Sequence, residues 1–180
     1  SITDFTIDVA PTKVYTMKLS LVNKSDSAND VSLILPSTVL SGAQAKIYST
    51  LKVRVCRIES DGNDGNSAST VKVGDWHYLC DKATAGNDNT QFGETKVAGE
   101  FPLKGMDEQL KDENKDKVVN TADLWLQVSM ATYNELSALE TFTALGISQA
   151  DYQALQGVDE AFTLAFTVLF QIDIDNTTGN

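Results

Sequence analysis

Residues 161–174 read AFTLAFTVLFQIDI, and this stretch decides the fold class. Phe162, Leu164, Phe166, Val168, Phe170, Ile172 and Ile174 are seven consecutive alternate positions, all apolar. A period of two sends successive side chains to opposite sides of a strand, so one face of this segment is written for a core. A helix would scatter the same side chains around its circumference.

The period recurs outward from this strand. Leu124, Leu126, Val128 and Met130 form one face, and Leu51, Val53 and Val55 alternate with Lys52, Arg54 and Cys56. Val31, Leu33 and Leu35 alternate until Pro36, and Tyr15, Met17, Leu19 and Leu21 stand opposite Thr16, Lys18 and Ser20. Phe5, Ile7 and Val9 make a first strand, which Pro11 ends because proline has no N–H for a ladder. Trp76, Tyr78 and Cys80 share one face of a further strand, and residues 95–101 make a short one. Polar loops rich in Asp, Asn, Gly and Ser separate the strands at 23–30, 60–69 and 86–93.

Helical periodicity is confined to short stretches. Residues 41–48 read as a short helix with Ser41 as N-cap. Leu136, Leu139 and Phe142 give a helical face over 134–145, with Gly146 as its stop, and Ser148-Gln149-Ala150-Asp151 opens a second helix ending at Gly157. The charged stretch 104–117, anchored only by Met106 and Leu110, reads as a solvated loop or a surface helix. About eight strands with long polar loops predict an all-β, antiparallel sandwich with a helical excursion near residues 134–156.

Composition narrows the function. The chain has 180 residues, 25 acidic and 14 basic, for a net charge of −11. Such a surface repels phosphates, and no basic stripe overrides it, so nucleic acid is not an expected partner. No apolar run is long enough to span a bilayer. The sequence begins at Ser1 without methionine, which fits removal of a secretory signal and a secreted, extracellular or cell-surface location. Asn23-Lys24-Ser25 and Asn176-Thr177-Thr178 match the N-glycosylation pattern, a short pattern that chance also supplies.

Two cysteines suit one disulfide in an oxidising compartment. If the flanking strands pair around a loop centred on residue 68, Cys56 faces Cys80. Closing that loop constrains the unfolded chain by roughly 3–4 kcal/mol in the chain-entropy model. The alternative is two free buried thiols.

Catalytic signals are thin. His77 is the one histidine, lying between Trp76 and Tyr78, and no nucleophile elbow, phosphate-binding loop or dinucleotide fingerprint is written in the chain. Glu59, Glu94, Glu100 and Glu140 are candidate glycosidase carboxylates, but nothing in their spacing selects a pair. No cofactor is required by any motif. Asp61, Asn63 and Asp64, and likewise Asn87-Asp88-Asn89, offer the hard oxygen ligands calcium prefers, though tight turns need the same residue types. Asp107, Asp112, Asp116, Asp173 and Asp175 are further oxygen donors.

Three segments together resemble the TasA and camelysin family of secreted fibre proteins, which includes archaeal bundling-pilus subunits. They are the strand–turn–strand unit 15–36, the run QAKIYSTLKVRVCRIESDG at 44–62, and the pairing of 124–130 with the closing strand 161–174. The family's Pro-Gly-Asp turn before the second strand is replaced here by Ala10-Pro11-Thr12. The metalloprotease label of some relatives is not carried over, because no His-Glu-x-x-His is present. The resemblance implies a jelly-roll-like sandwich that polymerises with copies of itself by donor-strand exchange. A sandwich lacking one strand leaves an apolar groove and unpaired backbone groups, which a partner's strand repairs.

Residues 1–10 are the natural donor, with 11–180 as the receiving domain. Ile2, Phe5, Ile7 and Val9 are its apolar residues, and burying three such side chains yields on the order of 5–8 kcal/mol gross. The alternative for this segment is an ordinary first strand of its own domain. For the whole chain, the expectation is a non-enzymatic filament or pilus subunit, such as a biofilm fibre. The alternative is a monomeric secreted carbohydrate- or calcium-binding module, with Trp76, Tyr78 or Trp125 as an aromatic platform.

Overall fold

Alternating segments that bury one face can satisfy their backbone groups only by pairing with one another. The computed structural model describes residues 4–9, 13–25, 29–60, 69–103, 121–156 and 164–174. In chain order the first strands are β1 (Asp4–Val9), β2 (Tyr15–Val22), β3 (Asn29–Leu35), β4 (Thr38–Leu40), β5 (Leu51–Ser60) and β6 (Ser69–Val73). They continue as β7 (His77–Tyr78), β8 (Ala83–Ala85), β9 (Thr90–Phe92), β10 (Thr95–Leu103), β11 (Thr121–Met130) and β12 (Leu164–Ile174).

All the pairings described are antiparallel, as expected. The first sheet has the order β1-β12-β3-β10, the second β2-β11-β5-β6 with β7 also on β5, and a small third sheet β4-β9-β8. The strongly alternating closing strand β12 is central to the first sheet. It pairs on one side with β1, Phe5 opposite Val168 and Ile7 opposite Phe166, and on the other with β3, Phe170 opposite Leu33. In the second sheet β11 is central, with Leu126 opposite Met17 of β2 and Val55 of β5.

Buried residues of both large sheets belong to one apolar cluster. Val31, Leu33 and Leu35 of β3 and Val97 and Leu103 of β10 share it with Val53, Val55, Leu124, Leu126 and Val128 of the second sheet. Each such large side chain contributes about 1.5–3 kcal/mol by leaving water. The helix α1 (Gly42–Ser49) adds Ile47 and Tyr48, whose ring meets Phe92 edge-on at 4.5 Å. Ser41 stands at the N-cap as expected but makes no side-chain cap bond.

The helical excursion is more broken than its periodicity predicts. It comprises α2 (Tyr133–Ser137), α3 (Glu140–Ala144) and α4 (Gln149–Gln156), with Leu139 extended between the first two. Local side-chain bonds explain the starts of α2 and α4. The Thr132 hydroxyl accepts from the Glu135 N–H at 3.2 Å while the Glu135 carboxylate accepts from the Thr132 N–H at 2.7 Å. Ser148 and Asp151 form the same reciprocal pair, as their sequence indicates. Gly146 has φ +70, the left-handed conformation that ends the preceding turn. Leu136, Phe142 and Tyr152 pack with Ala131 and Cys80 in a second cluster.

The third sheet was not expected, because three-residue strands are too short to display a period. Residues 86–93, read as loop, include β9. The stretch 104–117 lies outside the described residues.

The expected Cys56–Cys80 disulfide is not formed: both thiols are free and buried. The register is the reason. Cys56 faces Val73, and the next pairing sets Val53 opposite His77. Between these two registers the backbone N–H of Gly74 donates to the Val55 carbonyl at 2.9 Å, and a Cβ at Gly74 would lie 2.5 Å from that oxygen. The strand expected over Trp76–Cys80 then stops at Tyr78, and a 3₁₀ turn at Leu79–Lys82 carries Cys80 into the helical cluster. Burial there pushes the Cys80 thiol pKa up to about 11.

Candidate functional site

Two regions gather the residues of functional interest: the β1 edge of the first sheet and the outer face of the second.

At the edge, all six residues of β1 pair in unbroken register with β12, from Asp4 opposite Leu169 to Val9 opposite Leu164. Phe5, Ile7 and Val9 therefore occupy alternate positions on this ladder, and among the described strands β12 is the only one β1 pairs with. Within this chain the segment is the first sheet's edge strand. Ile2 lies outside the described residues.

The outer face follows from the alternation of β5 and β11. Leu51, Val53, Val55, Leu124, Leu126 and Val128 are buried on the core side, so Lys52, Arg54, Trp125 and Gln127 project from the other. Trp76 and Tyr78 join them by stacking and pairing. The Trp76 ring centre is 4.3 Å from the Arg54 guanidinium carbon and 4.7 Å from Lys52 Nζ, and Tyr78 is cross-strand from Lys52. Trp125 stands opposite Cys56 on one side and Lys18 on the other, with Lys18 Nζ 5.9 Å from its ring centre. The three aromatic residues named from sequence thus share one face, each half-buried. Trp76 packs on the two cations.

Polar contacts fix this face. Arg54 Nε donates to Gln127 Oε1 at 2.7 Å. Lys52 Nζ donates to Glu135 Oε1 at 2.7 Å, and the Tyr78 hydroxyl donates to the same oxygen at 3.2 Å. The Lys52 bond holds the Glu135 carboxyl down to a pKa of about 2, against some opposing desolvation. Burial first, and then the Glu135 charge, push the Tyr78 hydroxyl up. At the far corner Ser20 donates to Asp123 at 2.7 Å, and Lys18 pairs with Asp123 at 3.7 Å. Val71 and Val73 of β6 are more than half exposed and extend the face with apolar surface. β6 was not among the strands expected from the sequence, and the exposure of its valines goes with its place at the edge of the second sheet.

Other expected sites separate. Asn23, one of the two glycosylation candidates, stands at a turn. It is buried, its Nδ2 donates to the Leu103 carbonyl at 3.2 Å, and its Oδ1 accepts from the Ser25 N–H at 3.0 Å. Asn-x-Ser writes such an Asx turn as readily as a glycosylation site. Asn176, and the calcium candidates Asp61, Asn63 and Asp64, lie outside the described residues. Asn87, Asp88 and Asn89 form the tight β8–β9 turn, closed by a 2.7 Å bond from the Gly86 N–H to the Asn89 carbonyl. They line a groove of about 350 Å³ with Gly42, Gly146 and Asp151. Among the described residues no three His, Cys, Asp or Glu side chains are grouped to hold a metal ion. His77 is half-buried on β7.

Among the described residues no helix is long and apolar enough to cross a membrane. These features define the chain as an all-β protein of antiparallel sheets. In comparisons with known proteins, no family model, curated protein or solved structure matches it.

Proposed function

We propose that the protein is a structural, non-catalytic subunit of an extracellular filament, a two-sheet sandwich that polymerises by exchange of the strand in residues 1–10. The observation that carries this reading is the position of β1. Among the described strands it is the first, it pairs with β12 alone, and it closes an edge of the sheet. An identical ladder forms if the strand comes from a neighbouring copy, because β12 offers the same backbone groups to either source. In the sequence Pro11 comes two positions after Val9, the last residue of β1, and has no N–H to extend a ladder. The segment resemblance to secreted fibre proteins supports the same reading.

Electron microscopy of the full chain and of a variant lacking residues 1–10 tests it. Filaments from the full chain, none from the truncated chain, and their return on adding a peptide of residues 1–10 fused to a second subunit are expected. Filaments that persist without residues 1–10 contradict the donor assignment. A full chain that stays monomeric points to the binding-module alternative.

A further inference from the structure

We propose that the outer face of the second sheet binds an anionic polysaccharide, whose sugar rings stack on its aromatic side chains and whose carboxylates meet Arg54. Independently of assembly, Arg54 carries the argument. The other two cations on this face are matched, Lys52 by Glu135 and Lys18 by Asp123. Among the described residues no carboxylate pairs with Arg54, in a chain with 25 acidic side chains and a net charge of −11. Its guanidinium is nevertheless held in place, by the Nε bond to Gln127 and by the Trp76 ring 4.3 Å away.

A guanidinium carries five N–H donors, and among the described residues one of them is used. A planar donor group already oriented, with its rotamer entropy spent on folding, is suited to bidentate contact with a carboxylate. The surroundings favour sugar over peptide as the carrier. Trp125 and Tyr78 are half-buried rings on this face, Trp76 backs the guanidinium, and Gln127 supplies a planar amide for hydroxyl groups. Trp125 and Gln127 lie on β11 and Tyr78 on β7, and both of these strands pair with β5, which carries Arg54. The overall negative charge acts against a polyanion at long range. That repulsion is screened beyond about 8 Å at physiological salt, whereas contact at Arg54 is not. A polysaccharide with carboxylates spaced by neutral sugars fits these conditions best.

Affinity electrophoresis of the full chain through gels containing polygalacturonate, alginate or neutral dextran tests the proposal. Retardation by at least one carboxylated polymer and none by dextran is expected. Arg54→Gln should weaken the retardation about tenfold or more, and Trp125→Ala should weaken it comparably. Both variants should melt near the parent temperature and still form filaments, since neither residue belongs to the β1 edge. Four results overturn the proposal: no retardation by either acidic polymer, equal retardation by dextran, Arg54→Gln binding like the parent, or Arg54→Gln losing self-association instead. The last would make the face a contact between copies of the chain.

Discussion

Strand β10 closes one edge of the first sheet with two register shifts, between Lys96 and Ala98 and between Ala98 and Phe101, whereas β1 closes the other in unbroken register. Pro102 on β10 further removes an N–H. Bulges and proline are how sheets blunt an edge against foreign strands. The two edges therefore differ in what they permit. The β10 edge discourages addition, while the β1 edge is a regular ladder, the edge at which the proposed exchange takes place.

The comparison breaks most sharply under Thr6→Pro. Thr6 sits opposite Thr167 in the middle of the β1 ladder, and proline there removes a donor and a regular backbone angle. Filament yield should fall more than about tenfold by sedimentation, and unchanged yield would show that the edge is not the assembly site.

Leu126→Ala tests the support common to both edges. Leu126 is completely buried at the centre of the second sheet, and its truncation should cost about 2–5 kcal/mol, or on the order of 10 °C in melting temperature. A loss below about 1 kcal/mol in urea titration would argue against one shared core.

Glu135→Ala should separate the helical excursion from the edges. Glu135 caps α2 and holds Lys52 and Tyr78, so about 1 kcal/mol should be lost, with filament yield unchanged. The pH dependence has a defined sign. The folded pKa of about 2 lies below the ordinary 4.5, so the carboxylate's contribution is complete above pH 4.5 and fades as pH falls towards 2. Urea titrations of parent and variant should converge across that window, and a gap that widens there would refute the assignment. Pro102→Val, the smallest change, restores one N–H to the β10 edge but leaves its bulges, so filament yield should stay the same.

Much of this architecture was legible because burial writes its own period. The alternation over 161–174 foretold β12, and that of Leu124–Met130 and Leu51–Val55 foretold the central pair of the second sheet. Capping residues such as Ser148 and Asp151 are local, so they too could be read. Register was not. A hairpin centred on residue 68 put Cys56 against Cys80, but the close approach at Gly74 and the 3₁₀ turn at Leu79 belong to the folded backbone. The aromatic residues of the outer face could be named individually from sequence. Their grouping around an arginine without a carboxylate partner among the described residues depends on which strands are neighbours.

Disulfide trapping of the β1 ladder tests the central claim most directly. Thr6→Cys and Thr167→Cys place thiols at paired positions, within the Cα separation a disulfide accepts, while the native Cys56 and Cys80 are buried. The two single variants are mixed, allowed to assemble and oxidised. Strand exchange predicts covalent heterodimers from the mixture, and a ladder of covalent polymers from the double variant. Covalent closure of the double variant as monomers alone, with no heterodimers from the mixture, would contradict it.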